Sequence, residues 1–402
     1  MKVYLDYQAA KPVDTRVVDA MVPYFNDKFA NPASLHKPGD NATEILQDSR
    51  KIIADFINAP QPSSIVFTSG ATESNNLALI GAALKNERKG NHIIISEIEH
   101  ISIRNISKYL ERNGFKVSRI PVDQYGMVKL EKLKHLITDE TILISISTAS
   151  NEVGTLQPIK EISDIALDHQ ILFHTDALAS ESVIPIDVQK TPIDLITLSS
   201  NDIYGPKGVG ALYLKKGVRV NPIIIGGGQE KGMRSGSENI SGIVGFSKAA
   251  EIMKNEMEDE AQYLERLRDR LIKGVLESIP NSYLNGHPTK RLPNNAHFRF
   301  DYIEGESLIL SLKDQNIAAA TGSACSSKTL EPSHTLIAMG LLHEEAHGSL
   351  LFSLGRYTKE NEIEKTLEVL PDIVKRLRLL SPLTSQELLN YYKEIEKTNY
   401  GG

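Results

Sequence analysis

The chain has 402 residues, enough for two domains or one large domain with an appendage. Its 41% apolar and 24% charged residues and net charge of −6 describe an ordinary globular protein and give no bulk electrostatic reason to expect nucleic acid or membrane partners. The single cysteine, Cys325, cannot form an internal disulfide. No apolar run approaches the roughly 18–20 residues of a membrane span. A cytoplasmic protein is expected.

Residues 1–14 read as a short extended arm containing Pro12, with no apolar core of a signal peptide. The run Phe29-Ala30-Asn31-Pro32-Ala33-Ser34-Leu35-His36 is rich in turn formers. Over 40–57, Ala42, Ile45, Leu46, Ile52, Ile53 and Phe56 recur at helical spacing and predict an amphipathic helix. Ser64-Ile65-Val66-Phe67-Thr68 predicts a strand, and Ser69-Gly70-Ala71-Thr72-Glu73-Ser74-Asn75 turns it into a helix reaching about Lys85. Four further β-rich runs follow, at 92–96, 141–146, 171–175 and 195–198, with helical patterns at 100–113, 129–137 and 159–169. Such alternation predicts a mostly parallel sheet covered by helices on both faces.

A long charged helical pattern over 238–279 is a plausible bridge to a second domain. Beyond it, a strand at 296–300 and helices at 305–312 and 359–379 suggest a smaller α+β unit. Residues 385–402 are polar and predict a helix followed by a frayed end. Gly226-Gly227-Gly228 lacks the following Lys-Ser/Thr of a phosphate loop and reads as a turn. His334, His343 and His347 lie close in sequence, but no hydrolase pattern surrounds them, and a structural role is expected.

The candidate chemistry falls mostly at strand ends. Ser69-Gly70-Ala71-Thr72 joins a strand to a helix, where free N–H groups and hydroxyls favour an anion. His100 ends Glu97-Ile98-Glu99-His100 and by itself reads as a surface or capping residue. Asp176, in His174-Thr175-Asp176-Ala177, is either a helix cap or a functional acid. Cys325 sits among small residues in Thr321-Gly322-Ser323-Ala324-Cys325-Ser326-Ser327. That setting describes a loop rather than a buried core position.

Taken together, Thr-Ser-Gly-Ala-Thr-Glu, Asn-Glu-x-Gly, Tyr-Gly-Pro-Lys-Gly, Gly-Met-Arg-Ser-Gly and Gly-Ser-Ala-Cys-Ser resemble the NifS/IscS-type cysteine desulfurases. These belong to the class V aminotransferase family of fold-type I pyridoxal-phosphate enzymes. The resemblance runs from Asp6-Tyr7 to about Leu380. It implies an α/β fold, with a large domain holding a mostly parallel seven-stranded sheet (15–260). A small α+β domain (1–14 with 261–402) would carry the Cys325 loop and a partner-docking tail.

It also implies site roles. Ala71, Thr72 and Ser199 match phosphate ligands, with Ser200 and Asn201 beside them. Ser237 matches the hydroxyl that reaches the phosphate from a partner subunit, which implies a homodimer. His100 would stack on the pyridine ring and move protons, and Asn151 would lie near its ring oxygen. Asp176 would pair with the ring nitrogen, and its separation from position 202 agrees with the family spacing to the Schiff-base lysine. Cys325 would be the persulfide cysteine.

Four positions depart from the family pattern. Asp202 stands where the lysine that holds pyridoxal phosphate as a Schiff base belongs, and Asn201 replaces a histidine. Ala179 replaces a glutamine, and Leu351 replaces the arginine that holds the substrate carboxylate. A carboxylate cannot form an imine. Lys207 belongs to the family's own Gly-Pro-Lys-Gly run. Lys11, in Ala9-Ala10-Lys11-Pro12, departs from Ala-Thr-Thr-Pro and reads as a surface lysine, with a functional amine as the alternative.

Three readings follow. One is a desulfurase homologue of iron–sulfur assembly that has lost its lysine-dependent chemistry and docks an IscU-like scaffold. There Cys325 would act as persulfide carrier or as ligand to a shared [2Fe-2S] cluster, with L-cysteine or sulfide as sulfur source. The second is an active cysteine desulfurase with pyridoxal phosphate held non-covalently or through Lys11. The third is another pyridoxal or pyridoxamine phosphate enzyme, which the intact setting of Cys325 disfavours.

Overall fold

A computed structural model describes residues 2–322, 332–386, 388 and 390–392. After the arm strand β1 (Val3–Tyr4) come helices α1 (Thr15–Met21), α2 (Pro23–Asn26) and α3 (Lys37–Phe56). The first α/β stretch runs β2 (Ile65–Thr68), α4 (Ala71–Asn86), β3 (His92–Ser96), α5 (Ile101–Arg112) and β4 (Lys116–Ile120). It continues with α6 (Leu130–Leu136), β5 (Thr141–Ser145), α7 (Ile159–Asp168), β6 (Leu172–Asp176), β7 (Leu195–Ser199) and β8 (Gly210–Leu214). The long α8 (Ile240–Ser278) leads to β9 (Ser282–Asn285), β10 (Asn295–Phe300), α9 (Gly305–Asp314) and β11 (Ile317–Ala318). Two short helices, α10 (His334–Ala338) and α11 (His343–His347), precede β12 (Ser349–Ser353) and α12 (Glu360–Leu380).

The main sheet has seven strands in the order β2-β8-β7-β6-β5-β3-β4. The pairs among β7, β6, β5, β3 and β4 are parallel, and β8 runs antiparallel to both of its neighbours. Unbroken runs such as Ile93-Ile94-Ile95 are buried on both faces, because helices cover both sides of the sheet. The edge strand β4 is largely exposed or half-buried, with Ile120 its one buried residue, which hides it from a search for apolar runs.

A three-stranded antiparallel sheet, β12-β10-β9, forms a second layer with α9 and α12. The arm joins this side of the molecule: β1 pairs with β11 in parallel, Val3 opposite Ile317. Helix α8 serves two cores. Ile240 to Met257 pack with the main sheet, and Leu264 to Val275 pack with Phe298, Phe300 and Phe352. Among the described residues, no helix is long and apolar enough to cross a membrane.

The Gly-rich turn after β8 is anchored by a buried ion pair. Arg50 on α3 donates to both carboxylate oxygens of Glu230 at 2.7 Å, and the same carboxylate accepts from the Phe67 N–H on β2 at 2.9 Å. Glu230 and Lys231 hold left-handed backbone angles (φ 47° and 56°), which cost non-glycine residues about 1–3 kcal/mol each. Arg50→Met leaves Glu230 buried without its partner. Urea unfolding should show a loss of roughly 3–5 kcal/mol.

Candidate active site

The predicted site residues gather where the parallel strands end. Five strands of the main sheet, β2, β3, β5, β6 and β7, lead into Ala71, His100, Asn151, Asp176 and Asp202 respectively. Ligands of open α/β sheets bind at that carboxyl edge.

The turn from β2 into α4 is open. Gly70 caps the helix at φ 145°, a left-handed conformation, and no side chain caps the first N–H groups of α4. These orphan donors, with Ala71 and the exposed Thr72, make an anion cup. Gly210 lets β8 pass beneath: a side chain there would stand 2.7 Å from Gly70 Cα. The turn carrying Ser237 is tied to the cup, because Arg234 donates to Glu73 at 2.9 Å while Glu73 accepts from the Ser69 N–H at 2.8 Å. Ser237 itself is exposed.

Asp176 is buried at the end of β6. It accepts from Asn75 Nδ2 at 2.7 Å and from the Leu178 N–H at 3.0 Å. Burial raises its pKa above the ordinary value, and Asn75 and Leu178 work against that rise. Asn75 also donates to Ser102 Oγ at 3.2 Å, linking Asp176 to the start of α5. His100 caps α5: its Nδ1 accepts the Ser102 N–H at 3.2 Å and lies 2.8 Å from Ser102 Oγ. With Nδ1 accepting, the neutral ring carries its proton on Nε2. The capping role that the sequence offers for His100 is the one observed. Asn151 lines a small cleft with His100, Glu99 and Ser150.

Asp202, at the position where the resemblance expects a lysine, is buried. Asp202 has its carboxyl pushed up to about 6 by burial, while Lys11 and hydrogen bonds from Ser199 and Asn201 pull it down. Ser199, placed on the phosphate by sequence, thus directs its hydroxyl to Asp202. Ser200 is fully buried beneath Gly205, with no partner for its hydroxyl among the described residues.

Lys11 is not a surface residue. It is 7% exposed, and its Nζ donates to the Asp202 carbonyl at 2.6 Å and to Ser182 Oγ at 2.8 Å. Burial lowers its pKa, and Asp202, Glu260 and Glu181 oppose that. The Tyr204 ring carries Lys11 Nζ 5.1 Å from its centroid and the Arg356 guanidinium at 4.6 Å. Lys11, Ala179 and Asp202 line one pocket.

Leu351 is buried in β12, opposite His297, and exchanges backbone hydrogen bonds with Ala320. It therefore adjoins the segment that follows β11. Cys325 itself lies outside the described residues. His334 is held by the Glu99 carbonyl at 3.1 Å, and His343 and His347 bracket α11. Among the described residues, no group of three or more His, Cys, Asp or Glu is arranged to hold a metal ion.

Sequence reasoning missed Asn75, Glu181 and Ser182. Asn75 had a signal, since it stands one helical turn after Ala71 and shares the face that meets the sheet. Glu181, wholly buried with one oxygen on the Ser199 N–H at 2.9 Å, had none.

The aminotransferase class-V family model matches residues 3–366. A protein named cysteine desulfurase IscS 1 from Archaeoglobus fulgidus is 58% identical over 380 residues, covering 94% of this chain and 99% of the relative. A cysteine desulfurase IscS from Methanosarcina thermophila is 50% identical, covering 96% and 95%. Among solved structures, a NifS-like protein superposes with a TM-score of 0.88 at 36% identity, covering 94% of this chain and all of that one.

Proposed function

Because the chain belongs to the aminotransferase class-V family, as a homologue of its IscS/NifS cysteine desulfurases, we propose that it serves iron–sulfur cluster assembly without the lysine-dependent reaction. The observation that carries this reading is the buried Asp202, with Lys11 bound to its carbonyl, in the slot of the Schiff-base lysine. In this role Cys325 takes the outer sulfur of a donor persulfide and releases the donor thiol, or ligates a [2Fe-2S] cluster shared with an IscU-like scaffold, with sulfide for the cluster supplied from elsewhere. A homodimer fits the exposed Ser237 and the tethered turn that presents it. The division into a large and a small domain near residue 260 is supported by the two cores that α8 joins.

The family's members use pyridoxal phosphate, and two ends of the pocket suit it. The uncapped N-terminus of α4 suits the phosphate, and Asp176 suits the ring nitrogen. The third end does not suit covalent attachment, since a carboxylate occupies it. When bound, the cofactor supplies an electron sink beside an amino acid's α-carbon. This chain's residues would hold its phosphate through Ala71 and Thr72, keep its ring nitrogen protonated through Asp176, and hold a proton at His100 Nε2.

A second reading, an active desulfurase with atypically held pyridoxal phosphate, is favoured by one observation. An amine whose pKa is lowered by burial, Lys11, lines the pocket beside Asp202. Anaerobic incubation with L-cysteine and added pyridoxal phosphate separates the two. The first reading expects no sulfide above the level of a Cys325→Ser variant and no visible band from bound cofactor. Cysteine-dependent sulfide release, lost in Cys325→Ser, would establish the second.

A further inference from the structure

Buried carboxyl groups converge on the wall formed by the ends of β6 and β7. Asp176 closes β6, Asp202 follows β7, and Glu181 lies between them in sequence; all are buried. They are close enough to oppose one another's ionisation: Asp202 and Asp176 act on Glu181, and Asp176 acts on Asp202. Lys11 is the lysine set against them, held on the Asp202 carbonyl and Ser182. The neighbouring Arg356 is committed to Asp14 and Glu260, each at 2.8 Å. One ammonium offsets one carboxylate.

Hydrogen-bond donors are also short on this wall. Among the described residues, Glu181 Oε2, Asn201 Oδ1 and Asn75 Oδ1 are buried acceptors without a partner. Each such atom costs free energy until a donor arrives. At the other end of the site, the α4 N-terminus has the opposite deficit: open N–H groups and no capping acceptor.

A ligand that satisfies both ends carries an anion at one extremity and more than one cationic N–H group at the other. We propose that the pocket binds pyridoxamine phosphate, the amine form of the cofactor, in preference to the aldehyde form. The phosphate meets the α4 cup, the ring nitrogen meets Asp176, and the aminomethyl ammonium meets Asp202. This rests on reading the cup as a phosphate site. An ammonium brings donors and a positive charge to a carboxylate, and such charge-assisted bonds are roughly twice as strong as neutral ones. An aldehyde brings an acceptor oxygen, which a carboxylate repels.

The test is calorimetric titration of the full-length chain with three ligands at one pH. They are pyridoxamine phosphate, pyridoxal phosphate and pyridoxine phosphate, the last sharing ring and phosphate but bearing a neutral hydroxymethyl group. Pyridoxamine phosphate is expected to bind at least about tenfold more tightly than pyridoxine phosphate, a difference of about 1.4 kcal/mol. Pyridoxal phosphate should bind no better than the alcohol. Asp202→Asn should erase the advantage of the amine over the alcohol. Equal affinity for amine and alcohol, or tightest binding of the aldehyde, overturns the proposal and leaves the cup standing. Failure of all three to bind overturns both. The wild-type comparison decides even where Asp202→Asn does not fold.

Discussion

Asp202→Lys is expected to give the protein a visible absorption band with pyridoxal phosphate that the parent lacks, and an adduct at position 202 that survives borohydride reduction. The open N-terminus of α4 at Gly70-Ala71-Thr72 and the acid at Asp176 are in place, so under the proposed function the variant supplies the amine that attachment needs. The pocket also suits an introduced amine. Burial at position 202 and the ammonium of Lys11 both disfavour a second positive charge, so the new lysine is held partly neutral and nucleophilic. Turnover should lag behind attachment. Leu351 cannot hold an amino acid's carboxylate, and a bidentate arginine contact is worth roughly 3 kcal/mol, or about 100-fold in kcat/KM. Sulfide release by Asp202→Lys is therefore expected to stay about 100-fold below that of Asp202→Lys/Leu351→Arg. Equal rates in the two variants would show that position 351 is not where the carboxylate is held. Absence of the band would count against the cup.

The same residues show what a sequence can and cannot disclose. Strands β3, β5, β6 and β7 are legible as β-rich runs because both of their faces are buried. Strand β4 escapes because it lies at the sheet edge and Ile120 is its one buried residue. Strand β8 escapes because its Gly210-Ala211-Leu212 start merges with the glycine-rich turn before it. A candidate position is legible where it closes its own strand, as Asp176 does, or caps the helix that follows, as His100 does. Lys11 is not legible in that way. Its partners Ser182 and Asp202 lie 171 and 191 positions away, and the arm is held beside them by the β1–β11 pairing and by backbone bonds from Tyr7 to Ser353 and from Asp14 to Tyr204. Burial produced by such distant contacts leaves no local pattern, so a lysine beside a proline reads as surface. Glu181 is hidden for the same reason, since its partner is a backbone N–H on the next strand.

Lys11→Met is expected to destabilise the fold far more at about pH 8 than at about pH 5. The sign follows from Asp202. Its folded pKa of about 6 lies above the ordinary 3.8, so the folded state binds the proton more tightly than the unfolded chain does. The wild-type protein therefore loses stability from this group as pH rises from about 4 to 6, and above that range the carboxylate stays buried at a cost that Lys11 partly offsets. Removing the ammonium lifts the Asp202 pKa further and extends the loss to higher pH. At about pH 8 the variant holds a buried carboxylate without its nearest cation, and the Asp202 carbonyl and Ser182 lose a donor. The expected cost there is roughly 3–5 kcal/mol, the range for breaking a buried charge pair. At about pH 5 Asp202 is already protonated in the fold, and the cost shrinks to the lost hydrogen bonds, roughly 1–3 kcal/mol. Urea unfolding at the two pH values measures the difference. Adding Asp202→Asn to Lys11→Met should flatten the pH dependence, because the titrating partner is then gone. A penalty for Lys11→Met that is equal at both pH values would mean that Lys11 packs against Tyr204 and Ser182 without compensating Asp202.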